Sequence, residues 1–327
     1  MDRSVSRREL LLGAAAACVA VGCNSVRPDL QKSRVTVLKA PAYDQSLYAT
    51  VRQVLENQKL NVKGKHVVLK PNLVEFDPSR PINTHPIFVH AALEAFRSLG
   101  AGSVRIAEGP GHRRDALDLA DSAGYFHTIP GFEDHFTDLN LDEVERILLK
   151  RPLSKLKELY LPKTLLGADL IVSLAKLKTH HWVGATLSMK NFFGSVPGGV
   201  YGWPKNILHW SGLPECIVDL HTTFPKHFGL IDGVYGMEGN GPIQGGTKFA
   251  GIIAGSRDLV ALDATCCRIM GIDPARLKYL QLTAAQGQLD PRNVEQSGES
   301  IASVHTNFEL FGEFKDWRLS PGSATPS

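Results

Sequence analysis

The chain has 327 residues, 43% of them hydrophobic and 21% charged, and its 36 lysines and arginines against 33 aspartates and glutamates leave a net charge of +3. Values so near the globular averages exclude wholesale disorder, a fibrous repeat and a multi-span membrane protein. No long basic run concentrates the excess charge, so the sequence offers nucleic acid no electrostatic footprint.

The first residues read as an address. Ser6-Arg7-Arg8-Glu9-Leu10-Leu11 leads into an uncharged, Ala-rich stretch from Leu10 to Gly22, which gives a charged n-region, an apolar h-region and a small-residue end. As a helix that stretch covers about 20 Å of a hydrocarbon core about 30 Å thick, too little to span it well. The paired arginines resemble a twin-arginine signal, which addresses bacterial proteins exported already folded and makes the twin-arginine translocation machinery a partner. Val21-Gly22-Cys23 resembles a lipobox with Ala20 where Leu is usual. Cys23 is therefore the expected lipid acceptor, and the chain is expected on the periplasmic or cell-envelope side, held to a membrane through the lipid anchor only. Residues 1–22 are read as signal, 23–33 as linker, 34–319 as a single large α/β domain and 320–327 as a disordered tail.

Strands and helices then alternate. Val35 to Leu38 predicts a strand and Ser46 to Leu60 a helix, followed by a strand at His66–Lys70 and a helix from Ile87 to Leu99. Ser103–Ala107 predicts a third strand, with a helix from about Asp115 to Ala123. A strand is expected at Leu159–Leu161, a central one at Asp169–Leu174, and helices at Leu187–Phe193 and Glu215–Thr222. Phe228–Asp232 and Ala250–Ala254 read as strands, and Asp258–Met270, capped by Asp258, and Arg276–Gln286 as helices. The alternation implies a mostly parallel sheet with helices on both faces. Three cysteines follow Cys23, too few for a disulfide framework to be expected, and of these the adjacent Cys266 and Cys267 default to small buried side chains. No C-x₂-C spacing occurs, which leaves this chain no iron–sulfur cluster, zinc ribbon or haem attachment.

Open α/β sheets bind ligands beyond the carboxyl ends of their strands, and those ends are polar here. Lys70 and Asn72 follow the second strand, and the same connection reaches His85. Glu108 to His112 follow the third, Lys176, Lys178, His180 and His181 the Asp169 strand, Asp232 and Glu238 the Phe228 strand, and Ser256 to Asp258 the Ala250 strand, all expected on the same edge. In extended chain Lys176 and Lys178 project to one face and Leu177 to the other, which fits a phosphate or carboxylate pocket and equally a solvated basic edge. Lys190 and Asn191 add to the anion-binding candidates. His85, His181 and Asp263, with His112 nearby in the pattern, are candidates for a divalent metal, although the spacing matches no regular metal motif. Asp263 stands on a mostly apolar helix face and needs a partner if buried.

These residues carry a resemblance. Val68-Leu69-Lys70-Pro71-Asn72-Leu73-Val74, Thr84-His85-Pro86, Lys176-Leu177-Lys178-Thr179-His180, Leu187 to Gly194, Ile231-Asp232-Gly233, Met237 to Pro242 and Asp263-Ala264 resemble the successive blocks of the prokaryotic family called domain of unknown function 362, over about residues 66–275. Some members carry a ferredoxin-like module with two four-iron clusters, whose cysteines this chain lacks. The resemblance supplies no catalytic residues. The residues themselves support an exported enzyme acting on an anionic small molecule, with Lys70, Asn72, Lys176, Lys178, Lys190 and Asn191 holding the anion. His180, paired with Glu238 or Asp232, is then the acid/base group. The alternative is an accessory protein that binds a ligand or cofactor for a redox partner without turnover.

Overall fold

A computed structural model describes residues 32–112, 115–283 and 288–319. The signal, Cys23, nearly all of the expected linker and the tail from residue 320 lie outside the described residues. Eleven strands are found among these: β1 (Ser33–Lys39), β2 (His66–Lys70), β3 (Ser103–Glu108), β4 (Phe136–Asp138), β5 (Val144–Leu148), β6 (Glu158–Pro162), β7 (Leu170–His180), β8 (Gly184–Thr186), β9 (His227–Glu238), β10 (Gly246–Ser256) and β11 (Val294–Gly298). Nine of them form one sheet in the order β11-β1-β10-β9-β7-β2-β3-β4, with β8 on β7, while β5 and β6 pair separately.

The sheet is mostly parallel: β9, β7, β2, β3 and β4 run together, as do β11 and β1. The exceptions are β10, antiparallel to both neighbours, and the short β8, antiparallel to β7. That corrects one expectation, because the end of β10, Ser256 to Asp258, lies on the opposite edge from the other strand ends. Asp258 there accepts from Ser33 Oγ of β1 and, through its other oxygen, caps the following helix through Val260 N and Ala261 N.

Five principal helices cover the sheet: α1 (Ser46–Asn57), α2 (Pro86–Ser98), α3 (Ala116–Ser122), α4 (Leu213–Thr223) and α5 (Leu259–Ile269). In α1 the buried residues are Leu47, Val51, Val54 and Leu55, a stripe at helical spacing. With α2 and α3 it packs on one face of the sheet, against Leu170, Val172 and Leu174 of β7. Helices α4 and α5 pack on the other face, against Ile171, Ala175 and Leu177. The alternation along β7 thus feeds two cores, and all its residues are buried.

The differences from expectation follow from polarity and length. The segment expected as a helix at Leu187–Phe193 is a 3₁₀ helix at Lys190–Ser195. The late helix spans Lys278–Thr283 among the described residues. Strands β4, β5, β8 and β11 are not expected from the sequence: β4 and β8 are three residues long, β5 is largely exposed and β11 reads VEQSG, so none carries a clear apolar alternation. Strand β7 continues past Leu174 through Lys176 and Lys178, and β9 through Glu238. Lys176 stands opposite Asp232 but Lys178 opposite Met237, so β9 bulges between them. Gly236 lies in that bulge, where a Cβ would press on the Leu177 carbonyl and the Phe308 ring.

Candidate functional site: a cationic cavity at the strand ends

The carboxyl ends of β2, β3, β7 and β9 converge on one edge of the sheet, as parallel strands must. A cavity of about 420 Å³ opens there. Its lining draws Asn72 from β2's end, Glu108 and His112 from β3's, and Lys178, His180 and His181 from β7's. Thr186 of β8, Lys190 and Asn191 of the 3₁₀ helix, and Lys205 and His209 add to its polar wall, with Trp182 and Phe193 among its apolar surfaces.

The lysines sort into two kinds. Lys70 Nζ donates to Glu108 Oε2 at 2.7 Å, both side chains fully buried, and more weakly to Asn191 Oδ1 at 3.4 Å. Asn191 returns bonds from Nδ2 to Lys70 O and Ser173 Oγ. A Cβ at Gly194 would overlap the Glu108 carboxylate and the Lys70 amine, so this pairing needs glycine there. On the other face of the sheet Lys176 Nζ donates to Asp232 Oδ2 at 3.0 Å and to Tyr43 OH at 2.7 Å. Tyr43 OH donates to Asp232 Oδ1 at 2.7 Å, and His85 N to Oδ2 at 2.9 Å. The His85 ring stacks on Tyr43 with centroids 3.7 Å apart, and its Nδ1 accepts from Ile87 N at the start of α2. Burial pushes this imidazole down to about 4, so it is neutral.

Lys178, Lys190 and Lys205 make no ion pair among the described residues. Lys178 Nζ donates to Asn72 Oδ1 at 2.6 Å, Ile82 O at 2.8 Å and Pro242 O at 3.3 Å. Burial and the charges of Lys190 and Lys176 depress its pKa, yet three acceptors are satisfied together only by an ammonium. Lys205, with its backbone in the left-handed region at φ 65°, donates to Gly109 O at 2.5 Å; burial pushes it down to about 7. Lys190 is 9% exposed, and its amine sits 4.5 Å over the Phe193 ring centroid. Among the described residues that amine has no hydrogen bond or ion pair, and burial, with the Lys70 charge, pushes it down to about 8.

The histidines divide by what they accept. Trp182 N donates to His180 Nδ1 at 3.0 Å, and burial holds the ring well below its ordinary pKa. A neutral His180 therefore carries its proton on Nε2. His181 Nδ1 faces Gly241 O at 2.6 Å. A carbonyl only accepts, so this nitrogen holds the proton and Nε2 keeps the lone pair in the neutral ring. Thr186 Oγ1, buried in the lining, has no hydrogen-bond partner among the described residues.

The sequence profile of a family described as domain of unknown function (DUF362) matches residues 67–268. The chain belongs to that family. Every site candidate from Lys70 to Asp263 lies within the matched span of this DUF362 protein. A thylakoid-associated protein of Synechocystis sp. is 29% identical to it over 266 residues, 78% of this chain and 79% of that protein. Among solved structures, the lactate racemase apoprotein from Thermoanaerobacterium thermosaccharolyticum matches with a TM-score of 0.47 and 16% identity, over 75% of this chain and 58% of that one. A protein from Thermotoga maritima matches with a TM-score of 0.39 and 13% identity, over 71% and 60%. The DUF362 chain thus spans less than two thirds of either solved chain.

Of the anion candidates, Asn72, Lys178, Lys190 and Asn191 line the cavity, whereas Lys70 and Lys176 lie behind it in their ion pairs. His180 lines it without Glu238 or Asp232 as a partner. Glu238 instead accepts from Glu309 N at 2.8 Å and faces Lys248 at 3.3 Å. The metal candidates stand apart: His181 lines the cavity, His85 stacks on Tyr43, and Asp263 of α5 lies beneath the 3₁₀ helix. Asp263 accepts from Ser188 N, Ser188 Oγ and Met189 N, and burial pushes it up to about 7. No group of three or more His, Cys, Asp or Glu among the described residues is placed to hold a metal ion. Sequence reasoning missed Thr186, Lys205, His209 and Tyr43. Lys205 closes a Gly/Pro-rich loop, the one signal that pointed toward it.

Proposed function

We propose that the cavity binds a small organic anion and that this DUF362 protein is an enzyme acting on it. The observation that carries the reading is Lys190: a nearly buried cation without a partner among the described residues, in a cavity whose one lining carboxylate among them, Glu108, is already bound to Lys70. A buried charge needs a counter-charge or hydrogen-bond acceptors; Lys178 has acceptors, Lys190 has neither among the described residues, and a bound carboxylate or phosphate supplies both. The His180 Nε2–H and the unpartnered Thr186 hydroxyl offer further donors, and Trp182 and Phe193 accept an apolar remainder. His181, with a free Nε2, is the group suited to take and return a proton.

Calorimetric titration with sulfate, oxalate and citrate tests the reading. Parent protein should bind at least one of them, Lys190→Met should lose about tenfold or more in affinity, and Lys248→Met should match the parent. Equal affinity in all three proteins would overturn it. His181→Gln should keep anion affinity while losing conversion of any ligand that the parent alters; an accessory binder would show no conversion to lose.

We also propose export by the twin-arginine route with Cys23 as the lipid anchor. No helix among the described residues is long and apolar enough to cross a membrane, and the Synechocystis relative is named as thylakoid-associated. Changing Arg7 and Arg8 to Lys should block export, and Cys23→Ser should release the protein from membranes. Unchanged fractionation of both variants would sink this reading.

A further inference from the structure

The lysine that carries the anion reading has a second property that ion pairing alone does not use. Its side chain is 9% exposed, and its amine lies over an aromatic face in the cavity wall and is engaged by no oxygen among the described residues. It also feels two other cations, Lys70 from behind and Lys178 from the strand beside it. Removal from water and neighbouring positive charge are the two devices that turn a lysine into an amine nucleophile near neutral pH. Lys70 and Lys176, each held by a carboxylate on the same sheet, have neither free electrons nor access.

Resting on the anion-cavity reading, we propose that Lys190 is a covalent nucleophile whose amine condenses with the keto carbon of a 2-oxo acid to form a Schiff base. The carboxylate of such a substrate is met by Lys205, which keeps at least one N–H after its bond to Gly109 O, and by the Thr186 hydroxyl. The apolar part lies against Phe193 and Trp182. In the reaction the Lys190 nitrogen lone pair attacks the carbonyl carbon, a C–N bond forms, and the C=O π electrons move to oxygen. His181 Nε2 takes a proton from the nitrogen and returns it to that oxygen. A second proton follows the same way and the oxygen leaves as water, so that amine and ketone give imine and water with no oxidant or reductant. His180 Nε2–H steadies the developing oxyanion. A 2-oxo acid suits the site because it joins the anion that the cavity's charge requires to the electrophile that a neutral amine requires.

Full-length protein is incubated at pH 7.5 with pyruvate or 4-methyl-2-oxopentanoate and sodium cyanoborohydride, then digested and mapped by mass spectrometry. The same acids are titrated calorimetrically without reductant. Lys190 should carry the reductive alkylation at least about tenfold above exposed lysines such as Lys63 or Lys278, and excess sulfate should suppress it. Binding of the acids without preferred labelling of Lys190 overturns the nucleophile and leaves the anion cavity standing. Neither binding nor labelling overturns both. Because the site is mapped in the unaltered chain, the result does not depend on a variant folding.

Discussion

Two sets of lysines share one edge of this sheet and differ in a single respect. Lys70 and Lys176 each face a buried carboxylate, Glu108 at 2.7 Å and Asp232 at 3.0 Å. Lys178, Lys190 and Lys205 face carbonyls, an amide or an aromatic ring. The first set is neutralised within the protein and lies behind the cavity. The second set lines the cavity and leaves an excess of positive charge. Buried lysines alone therefore do not mark a site; what distinguishes the two sets is whether the chain itself supplies the counter-charge.

Removing a carboxylate from the first set should have the largest effect. Asp232→Ala leaves Lys176 charged and dry, and also strips an acceptor from Tyr43 OH and His85 N. A loss of about 3–5 kcal/mol in urea unfolding is expected, and Glu108→Ala should behave alike through Lys70. If either variant lost less than about 1 kcal/mol, the ion pairs would not be the structural set.

Removing a lysine from the second set should act in the opposite direction. Lys190 is pushed from 10.5 down to about 8 by burial, with Lys70 adding to it. Between those pH values the unfolded chain holds a proton that the folded chain has released, so parent stability rises with pH across that window. Lys190→Met should be more stable than the parent by up to about 3 kcal/mol below pH 8, and that margin should close as pH approaches 10.5. Destabilisation of this variant at pH 7 would place Lys190 with the structural lysines.

The partition explains what the sequence could disclose. Strands β2 and β3 and helices α1, α2 and α5 were legible because their apolar spacing is local. Strand β7 was expected to stop at Leu174, since lysines at 176 and 178 look like an edge. It continues because Asp232, 56 residues away, and Asn72, 106 away, satisfy those lysines. In the same way the strand-end location of Lys178, Lys190, His180 and His181 was readable from alternation and chain order. Which lysine owns a carboxylate was not, because Glu108 reaches Lys70 across 38 residues and a crossover. The need of Asp263 for a partner was visible on its apolar helix. That the partner would be the turn at Ser188 and Met189, beneath the segment that presents Lys190, depends on tertiary packing alone.

The central claim is that an anion supplies the charge Lys190 lacks, and proton linkage tests it most directly. Titrating oxalate into the parent at pH 8, in two buffers of different ionisation enthalpy, should reveal uptake of up to about half a proton per bound anion, because the anion raises the pKa of an amine poised near that pH. That share of the uptake should be lost in Lys190→Met, leaving only what Lys205, pushed down to about 7 in the same cavity, takes up. Oxalate binding with no proton uptake in the parent, or with the same uptake in the variant, would contradict the account.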